Sequence, residues 1–503
     1  MYLPSIAQIR EIDAFTIERE GITSIDLMER AALSCTKYIL NNFPVQTSIF
    51  VFSGPGNNGG DGFAIARQLL WAGYEVKVYY NKDSKMSADC EYNYIQLKKH
   101  APNVVENFDL ETRVEFPDSS LVLDALFGTG ISKPILGTFA KMVDTINNSN
   151  LDIISIDIPS GMHGDENPEM GVKIVKAKKT LSFEFYKYCF LLPESELFTG
   201  DIEILPIGLK AEEYFKNKEI QNFTITQKAV RKLLQTRLNH SHKGSNGRAM
   251  LIAGSKTMSG AAVLSSNACL KSGIGLLHVA VPESIRTVLQ ITSPEAIVHA
   301  HCDDKSFDFE LLTQNNISSI AIGPGLGINA ENQKTVQTLF DKFKGQLILD
   351  ADALNIVSEH KSLLKQLPKN SILTPHPLEF DRLTKKHTNR AERLETLKTF
   401  CKEYQCYCLL KGAFTAISTP DGKLYFNTSG NSGMASGGSG DVLTGIILAL
   451  TAQNYSPLEA CILGVYIHGL AADIALKEGE SIESLLPRDI INNLGKAFNQ
   501  LRN

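Results

Sequence analysis

The segment 436–441, SGGSGD, stands immediately before the apolar run VLTGIILAL. Small residues and three glycines ahead of an apolar helix let backbone amides converge on an anion at the helix N-terminus, so phosphate is the ligand this pattern suits. The Asp441 carboxylate is a poor phosphate contact but could take a proton from a hydroxyl beside it, the work of a general base. An aspartate there can also be a simple helix cap, and for the motif taken alone that reading stays open. It is not alone: KGAFT (411–415) follows a short apolar strand upstream, and NTSGNSGMASGGSGD is too rich in glycine and serine for an ordinary connection.

A second glycine cluster, GPGNNGGDG (54–62), contains GxGxxG at Gly54, Gly56 and Gly59. No acidic residue clearly follows at the position where a dinucleotide fold reads its ribose, so the pattern is weak as a nucleotide fingerprint. The same loop offers amide oxygens from Asn57 and Asn58 and a carboxylate from Asp61, while Asp124, Asp157 and Ser160 stand in LDALFGTG and DIPSG. Oxygen donors without cysteine or a histidine pair suit a hard cation rather than zinc. These residue types also cap turns and helices, which is their commonest use. Asp350 and Asp352, in LDADALN, could orient metal-bound water or cap a strand end.

The elements that must position these residues alternate. SIFVFSG, EVKVYY, SLVLDAL and DIISIDI read as short buried strands, with helical periodicity at 63–74, around 87–99 and near 138–147. A second series runs through RAMLIAGS, a helix over 259–272, LLHVAV, SSIAIGPGLG, QLILDADAL, SILTPHPLEF and CYCLLKG. Strand–helix alternation predicts an α/β fold twice over, and ligands of such sheets bind beyond the carboxyl ends of the strands, where the motifs stand. The charged stretch KAEEYFKNKEIQNF marks a boundary near 210–222, ahead of TITQKAVRKLLQTR, which has an N-cap threonine and amphipathic spacing.

At 503 residues, 43% hydrophobic and 21% charged, the chain has the composition of a multidomain globular protein. A formal charge of -5 gives no general electrostatic reason to bind nucleic acid. No uninterrupted apolar run reaches membrane-spanning length and no signal-peptide core is visible, so a cytoplasmic protein without membrane attachment is expected. Nine cysteines, with Cys401, Cys406 and Cys408 clustered but not in CxxC spacing, are expected to be reduced core thiols.

Residues from about 224 to 500 resemble the ribokinase-like superfamily and, within it, the ADP-dependent NAD(P)H-hydrate dehydratases, through HKGSNGRAMLIAGS, SGAAVLSS, GPGLG, DADALN, TPHPLEF, LKGAFT and GGSGDVLTG. The resemblance implies that a nucleotide, ADP with Mg²⁺, phosphorylates the 6-hydroxyl of a hydrated nicotinamide, and that phosphate then departs as the ring double bond re-forms. It implies Asp441 as general base, Lys411, Gly412, Ala413, Phe414, Thr415 and Gly440 on the nucleotide, and Ala261, Gly325 and His376 on the substrate. His376 has a plainer use, bonding backbone in its turn.

Residues 1–209 resemble the NAD(P)H-hydrate epimerases of the YjeF N-terminal family, through NNGGDG, LDALFGTG and DIPSG. This likeness implies a Rossmann-like three-layer domain over 1–210 and a ribokinase-like α/β domain over 222–503. Asn57, Asn58, Gly59, Gly60, Asp61, Gly128, Thr129, Gly130, Ile131, Ser132, Lys133, Pro134 and Asp157 would contact the hydrate. Asn58, Asp124 and Ser160 would bind potassium, and Asp157 would be the acid/base. Lys187 stands where the fit to the family pattern is looser, and carries no assigned role. Together the halves would interconvert R and S hydrates of NADH and NADPH and dehydrate the S form, in a protein expected to be a homo-oligomer. A rival reading makes the second half a small-molecule kinase of the vitamin or hydroxymethyl type and the first a noncatalytic binding module.

Overall fold

The computed structural model describes residues 1–131, 133–166, 172–216, 218–301 and 307–502. Two compact units emerge, one of residues 2–220 and the other of residues 221–503 with Met1.

The first unit is built on seven strands: β1 Ile49–Ser53, β2 Val76–Tyr80, β3 Val105–Asn107, β4 Leu121–Ala125, β5 Asp152–Ile156, β6 Lys179–Phe183 and β7 Asp201–Leu205. They lie in the order β3-β2-β1-β4-β5-β6-β7, every pair parallel. All five residues of β1 are buried, as expected of a parallel strand covered on both faces. Alternate β1 residues serve opposite cores. Ile49 and Val51 pack with the Asn57–Trp71 helix, whereas Phe50 and Phe52 join Tyr79, Phe108 and Met142 on the other side. Strand order reverses between β1 and β4, so the chain leaves them toward opposite faces of the sheet, the arrangement that places a crevice at the carboxyl edge.

The second unit carries ten strands: β8 Asn222–Ile225, β9 Arg248–Ile252, β10 Leu276–Pro282, β11 Ile297–His301, β12 Ser319–Ile322, β13 Gln346–Leu349, β14 Ile372–Leu373, β15 Tyr407–Leu410, β16 Ala416–Ser418 and β17 Leu424–Asn427. Their order is β11-β10-β9-β12-β13-β14-β15-β16-β17-β8, with only the pairs made by β16 antiparallel. Here the reversal falls between β9 and β12. The helices Ser259–Lys271, Ser439–Ala452, Pro457–Lys477 and Pro487–Arg502 bury their apolar faces in one large cluster with alternate strand residues. One of them, Pro457–Lys477, is long and apolar enough to cross a membrane by length and composition, although it lacks the uninterrupted apolar run sought in the sequence. With 78% of its apolar window buried inside this unit, it serves as a core helix. Cysteines among the described residues are all free and buried, Cys401, Cys406 and Cys408 included.

The glycines of GPGNNGGDG have a packing duty. A Cβ on Gly54 would lie 1.7 Å from the Leu126 carbonyl oxygen, and one on Gly59 would lie 1.8 Å from that of Gly54. The loops after β1 and β4 therefore touch backbone to backbone. Gly54→Ala is expected to destabilise this unit by about 3 kcal/mol, because backbone cannot yield as a flexible side chain does. Trp71, the single tryptophan, lies in the first unit. Its fluorescence in denaturant should show an earlier transition for the variant.

Candidate active sites

Beyond β1 and β4 opens a cavity of about 640 Å³. Its lining includes Asn57, Asn58, Asp61, Gly128, Thr129, Gly130, Ile131, Lys133, Pro134 and Asp157. Ser132 lies outside the described residues. Gly59 and Gly60 stand behind the lining, Gly59 against Gly54 and Gly60 against Met28.

Asp124, last but one in β4, is fully buried. Its Oδ1 accepts from the Ser160 hydroxyl at 2.6 Å and from the Leu126 N–H, and its Oδ2 accepts from the Ser155 hydroxyl at 2.8 Å and the Ser160 N–H at 2.9 Å. Burial pushes this carboxyl up, and those hydrogen bonds work against the push. The Ser160 hydroxyl also faces the backbone of Phe127, and Gly128 packs on the Asn58 side chain. Both polar atoms of the Asn58 amide are buried without a hydrogen-bond partner. Carboxylate, hydroxyl, backbone carbonyl and an unsatisfied amide are thus gathered at one place, a donor set for a hard, weakly charged cation.

Asp157 follows β5 with a φ of 66°, left-handed backbone that costs a non-glycine residue energy and that collects at functional sites. Its carboxylate accepts from the Lys187 ammonium at 2.6 Å and from the Phe183 N–H. Lys187 is 1% exposed and also donates to the Ser182 hydroxyl at 2.7 Å. Asp61 is more than nine-tenths buried and is pushed well above the usual carboxylate range by burial, then by Asp157 and Asp13.

Two lining residues come from an unsuspected element. Arg10 and Asp13 belong to the Ile6–Glu20 helix. Asp13 falls four residues after Ile9 and three before the buried Thr16, so an acid occupies the inward stripe of an amphipathic helix. The acid on the inward stripe of EIDAF is the one sequence signal for it.

In the second unit the loops after β9 and β12 are tied by the Gly254 N–H donating to the Pro324 carbonyl at 2.8 Å. A Cβ on Gly325 would stand 3.0 Å from that of Ala261, which brings these two predicted residues together. After β13, Asp350 is 1% exposed and accepts from the Lys411 ammonium at 2.9 Å and the Thr444 hydroxyl at 2.7 Å. Asp350 therefore ties the strand to the 411–415 loop and to the Ser439–Ala452 helix, and makes no side-chain cap. Asp352 instead accepts from the Gly327 N–H at 2.7 Å, holding the GPGLG loop.

His376 takes the plainer of its two readings at one nitrogen. Its Nδ1 accepts from the N–H groups of Leu378 and Glu379 as the N-cap of the Pro377–Leu383 helix, while Glu379, 6% exposed, caps the His376 N–H in return. Within 411–415, Phe414 offers its carbonyl to Arg390 and the Thr415 hydroxyl donates to the Gly412 carbonyl at 3.1 Å, so the loop is held while Gly412 and Ala413 stay exposed. A Cβ on Gly440 would lie 3.2 Å from the Lys411 ammonium, so that cation stands at the helix N-terminus.

Asp441 is in the first turn of that helix, whose N-cap is Gly438 with no side-chain hydrogen bond; Asp441 is no cap. Its carboxyl is raised to about 7, first by burial, then by Asp350, with Asp352 and Glu379 adding and Lys411 opposing. Burial works against the charge of Lys411, but Asp350 and Glu379 outweigh it and hold the ammonium above the ordinary lysine value. A carboxyl raised to near neutrality, beside an anion-binding helix terminus, can take a proton from a hydroxyl that is attacking a phosphoryl group.

Lys411→Met is expected to destabilise the second unit by about 3 kcal/mol, since it strands a buried carboxylate. Calorimetry should find the Asp350→Asn, Lys411→Met double variant less destabilised than Lys411→Met alone.

Residues 249–496 match the family described as NAD(P)H-hydrate dehydratase, and residues 24–189 match that described as YjeF-related protein N-terminus. Over its whole length the chain is 36% identical to a bifunctional NAD(P)H-hydrate repair enzyme of Thermofilum pendens, covering 97% of that protein. It is 33% identical to one of Moorella thermoacetica, with 95% of this chain and 93% of the relative aligned. Among solved structures, the ADP/ATP-dependent NAD(P)H-hydrate dehydratase of Bacillus subtilis, co-crystallised with ATP and Mg²⁺, is 32% identical over 56% of this chain and 99% of its own, with a TM-score of 0.49.

Proposed function

The chain belongs to the family of bifunctional NAD(P)H-hydrate repair enzymes, and from that premise we propose how its two sites divide the work. The protein is an NAD(P)H-hydrate epimerase and an ADP-dependent NAD(P)H-hydrate dehydratase, an isomerase joined to a lyase. Residues 1–210 interconvert the R and S hydrates, and residues 222–503 dehydrate the S form. The kinase with a noncatalytic partner is the weaker reading, since full-length relatives carry both halves.

The observation that carries the dehydratase assignment is Asp441, raised to about 7 beside Gly440 and Lys411. In our reading Asp441 takes the proton of the substrate 6-hydroxyl as its oxygen bonds to the terminal phosphorus of ADP, and AMP departs. The C6–O bond then breaks with its electrons on phosphate, a far better leaving group than hydroxide, and loss of a C5 proton restores the ring double bond. Lys411 to Thr415 and Gly440 hold the nucleotide, while Ala261, Gly325 and the open face of His376 contact the hydrate. Mg²⁺ would be held chiefly by the nucleotide phosphates, since the described carboxylates form no metal-holding group of their own. When bound it neutralises phosphate charge.

In the first site Asp157 is the acid/base, and Asn57, Asn58, Asp61 and the 128–134 loop hold the hydrate. We place potassium at Asn58, Asp124 and Ser160, a placement supported by the unsatisfied Asn58 amide and the oxygen cluster around it. When bound, the ion supplies a positive charge at the cavity floor that favours an anionic ligand. The proposal includes a cytoplasmic homo-oligomer acting on small molecules.

Given R and S NADH hydrate with ADP, Mg²⁺ and K⁺, the wild-type chain should restore all of the reduced-nicotinamide absorbance. Asp441→Ala should lose it by about 100-fold or more, and Asp157→Ala should stop after the S fraction. Because Asp441 must be ionised to accept a proton, dehydration of S hydrate should rise with pH through about 7. No recovery by wild type, or a pH-independent rate, contradicts the assignment.

A further inference from the structure

The first site holds one more carboxyl than the mechanism above uses. Asp13 and Asp157 line the same cavity, come from elements far apart in sequence, and lie close enough to interact electrostatically. Their circumstances differ. Asp157 is ion-paired to a buried lysine, whereas Asp13 makes no hydrogen bond or ion pair among the described residues. An unpartnered carboxyl beside a paired carboxylate is the arrangement in which one group keeps a proton and the other gives it up.

Resting on the epimerase reading, we propose that Asp13 is a catalytic residue of the first site, the acid that protonates the departing C6 hydroxyl while the Asp157 carboxylate receives the proton of the incoming water. The C6–O bond breaks with both electrons on oxygen. The proton from Asp13 turns that oxygen into water, and the N1 lone pair forms a double bond to C6. Water adds to the opposite face of this planar cation, the double-bond electrons return to N1, and the surplus proton passes to Asp157. Asp13 finishes ionised and Asp157 protonated, the state from which the reverse epimerisation starts. Transfer of one proton back through cavity water resets the site. No oxidant, reductant or nucleotide is needed.

The groups around Asp13 fit the role. Burial raises its carboxyl to about 7, with Asp157 and Glu184 adding and Lys187 opposing. Glu184 is occupied, accepting from the N–H groups of Ile207, Gly208 and Leu209. Arg10, one turn earlier on the same helix, donates to the Thr129 carbonyl at the cavity rim. Asp61 is pushed well above the carboxylate range by burial, then by Asp157 and Asp13.

The test uses the full-length chain and pure R hydrate without nucleotide, following appearance of S hydrate by chromatography, with nucleotide-dependent dehydration of S hydrate as the check on folding. Asp13→Asn should lower the epimerisation kcat about 100-fold or more with KM little changed, and dehydration should stay at the wild-type rate. Wild-type epimerisation should fall as pH rises through about 7, where the acid form of Asp13 is lost, and that fall should vanish in Asp13→Asn and return in Asp13→Glu. Asp13→Asn epimerising at the wild-type rate, or keeping the alkaline fall, overturns this inference alone. A wild-type chain inert toward R hydrate overturns the epimerase reading and this inference with it.

Discussion

Carboxylates crowded together away from water repel one another, and each loses several kcal/mol of hydration unless a cation or hydrogen bonds replace it. Both sites of this chain are organised around that constraint. In the first, Asp13 and Asp157 face Lys187, with Asp61 interacting with both carboxyls; in the second, Asp350, Glu379 and Asp441 face Lys411, with Asp352 interacting with Asp441. One lysine cannot satisfy them all. Lys187 pairs with Asp157, Lys411 pairs with Asp350 and at longer range with Glu379, and another carboxyl in each site is left raised to about 7, Asp13 in one and Asp441 in the other. A group so poised exchanges protons at neutral pH, where an ordinary aspartate stays ionised.

The backbone keeps these charges where they are costly. The first site stands where strand order reverses, between β1 and β4, with a cavity at the carboxyl edge; in the second, Asp350 follows β13 and Lys411 follows β15 on the carboxyl edge of the sheet whose order reverses between β9 and β12. Close backbone contacts at Gly54 and Gly59 hold the first crevice in shape, and the Gly254–Pro324 hydrogen bond ties the second. Asp157 and Ala351 sit in left-handed backbone next to the buried pairs, with φ of 66° and 45°. Such strain persists only where surrounding packing enforces it.

Much of this was legible in the residues. Glycine after apolar strands located both carboxyl edges, and GGSGD before an apolar helix singled out Asp441. The identity of the substrate was not legible from spacing and rested on resemblance. What spacing hid was tertiary: Asp13 lies on a helix remote in sequence from every glycine motif, marked only as an acid on an inward stripe. Lys187 stood in a stretch with no motif of its own, and only the fold shows its pairing with Asp157. His376 and Asp352 each admitted a ligand reading and a plainer one, and both hold backbone N–H groups, a use that a sequence cannot distinguish from ligand contact. The GxGxxG pattern misdirects for a related reason, because Gly54 and Gly59 are required by backbone packing.

In our proposal two such sites in one chain carry a hydrate from its R form to the reduced nucleotide without releasing a phosphorylated product. Its most direct measurement supplies wild-type protein with pure R NADPH hydrate and ADP, and quantifies NADPH, AMP and inorganic phosphate together. The account predicts that the three appear in equal amounts until the R hydrate is exhausted. Accumulation of a stable phosphorylated hydrate, or AMP formed without NADPH, would contradict it.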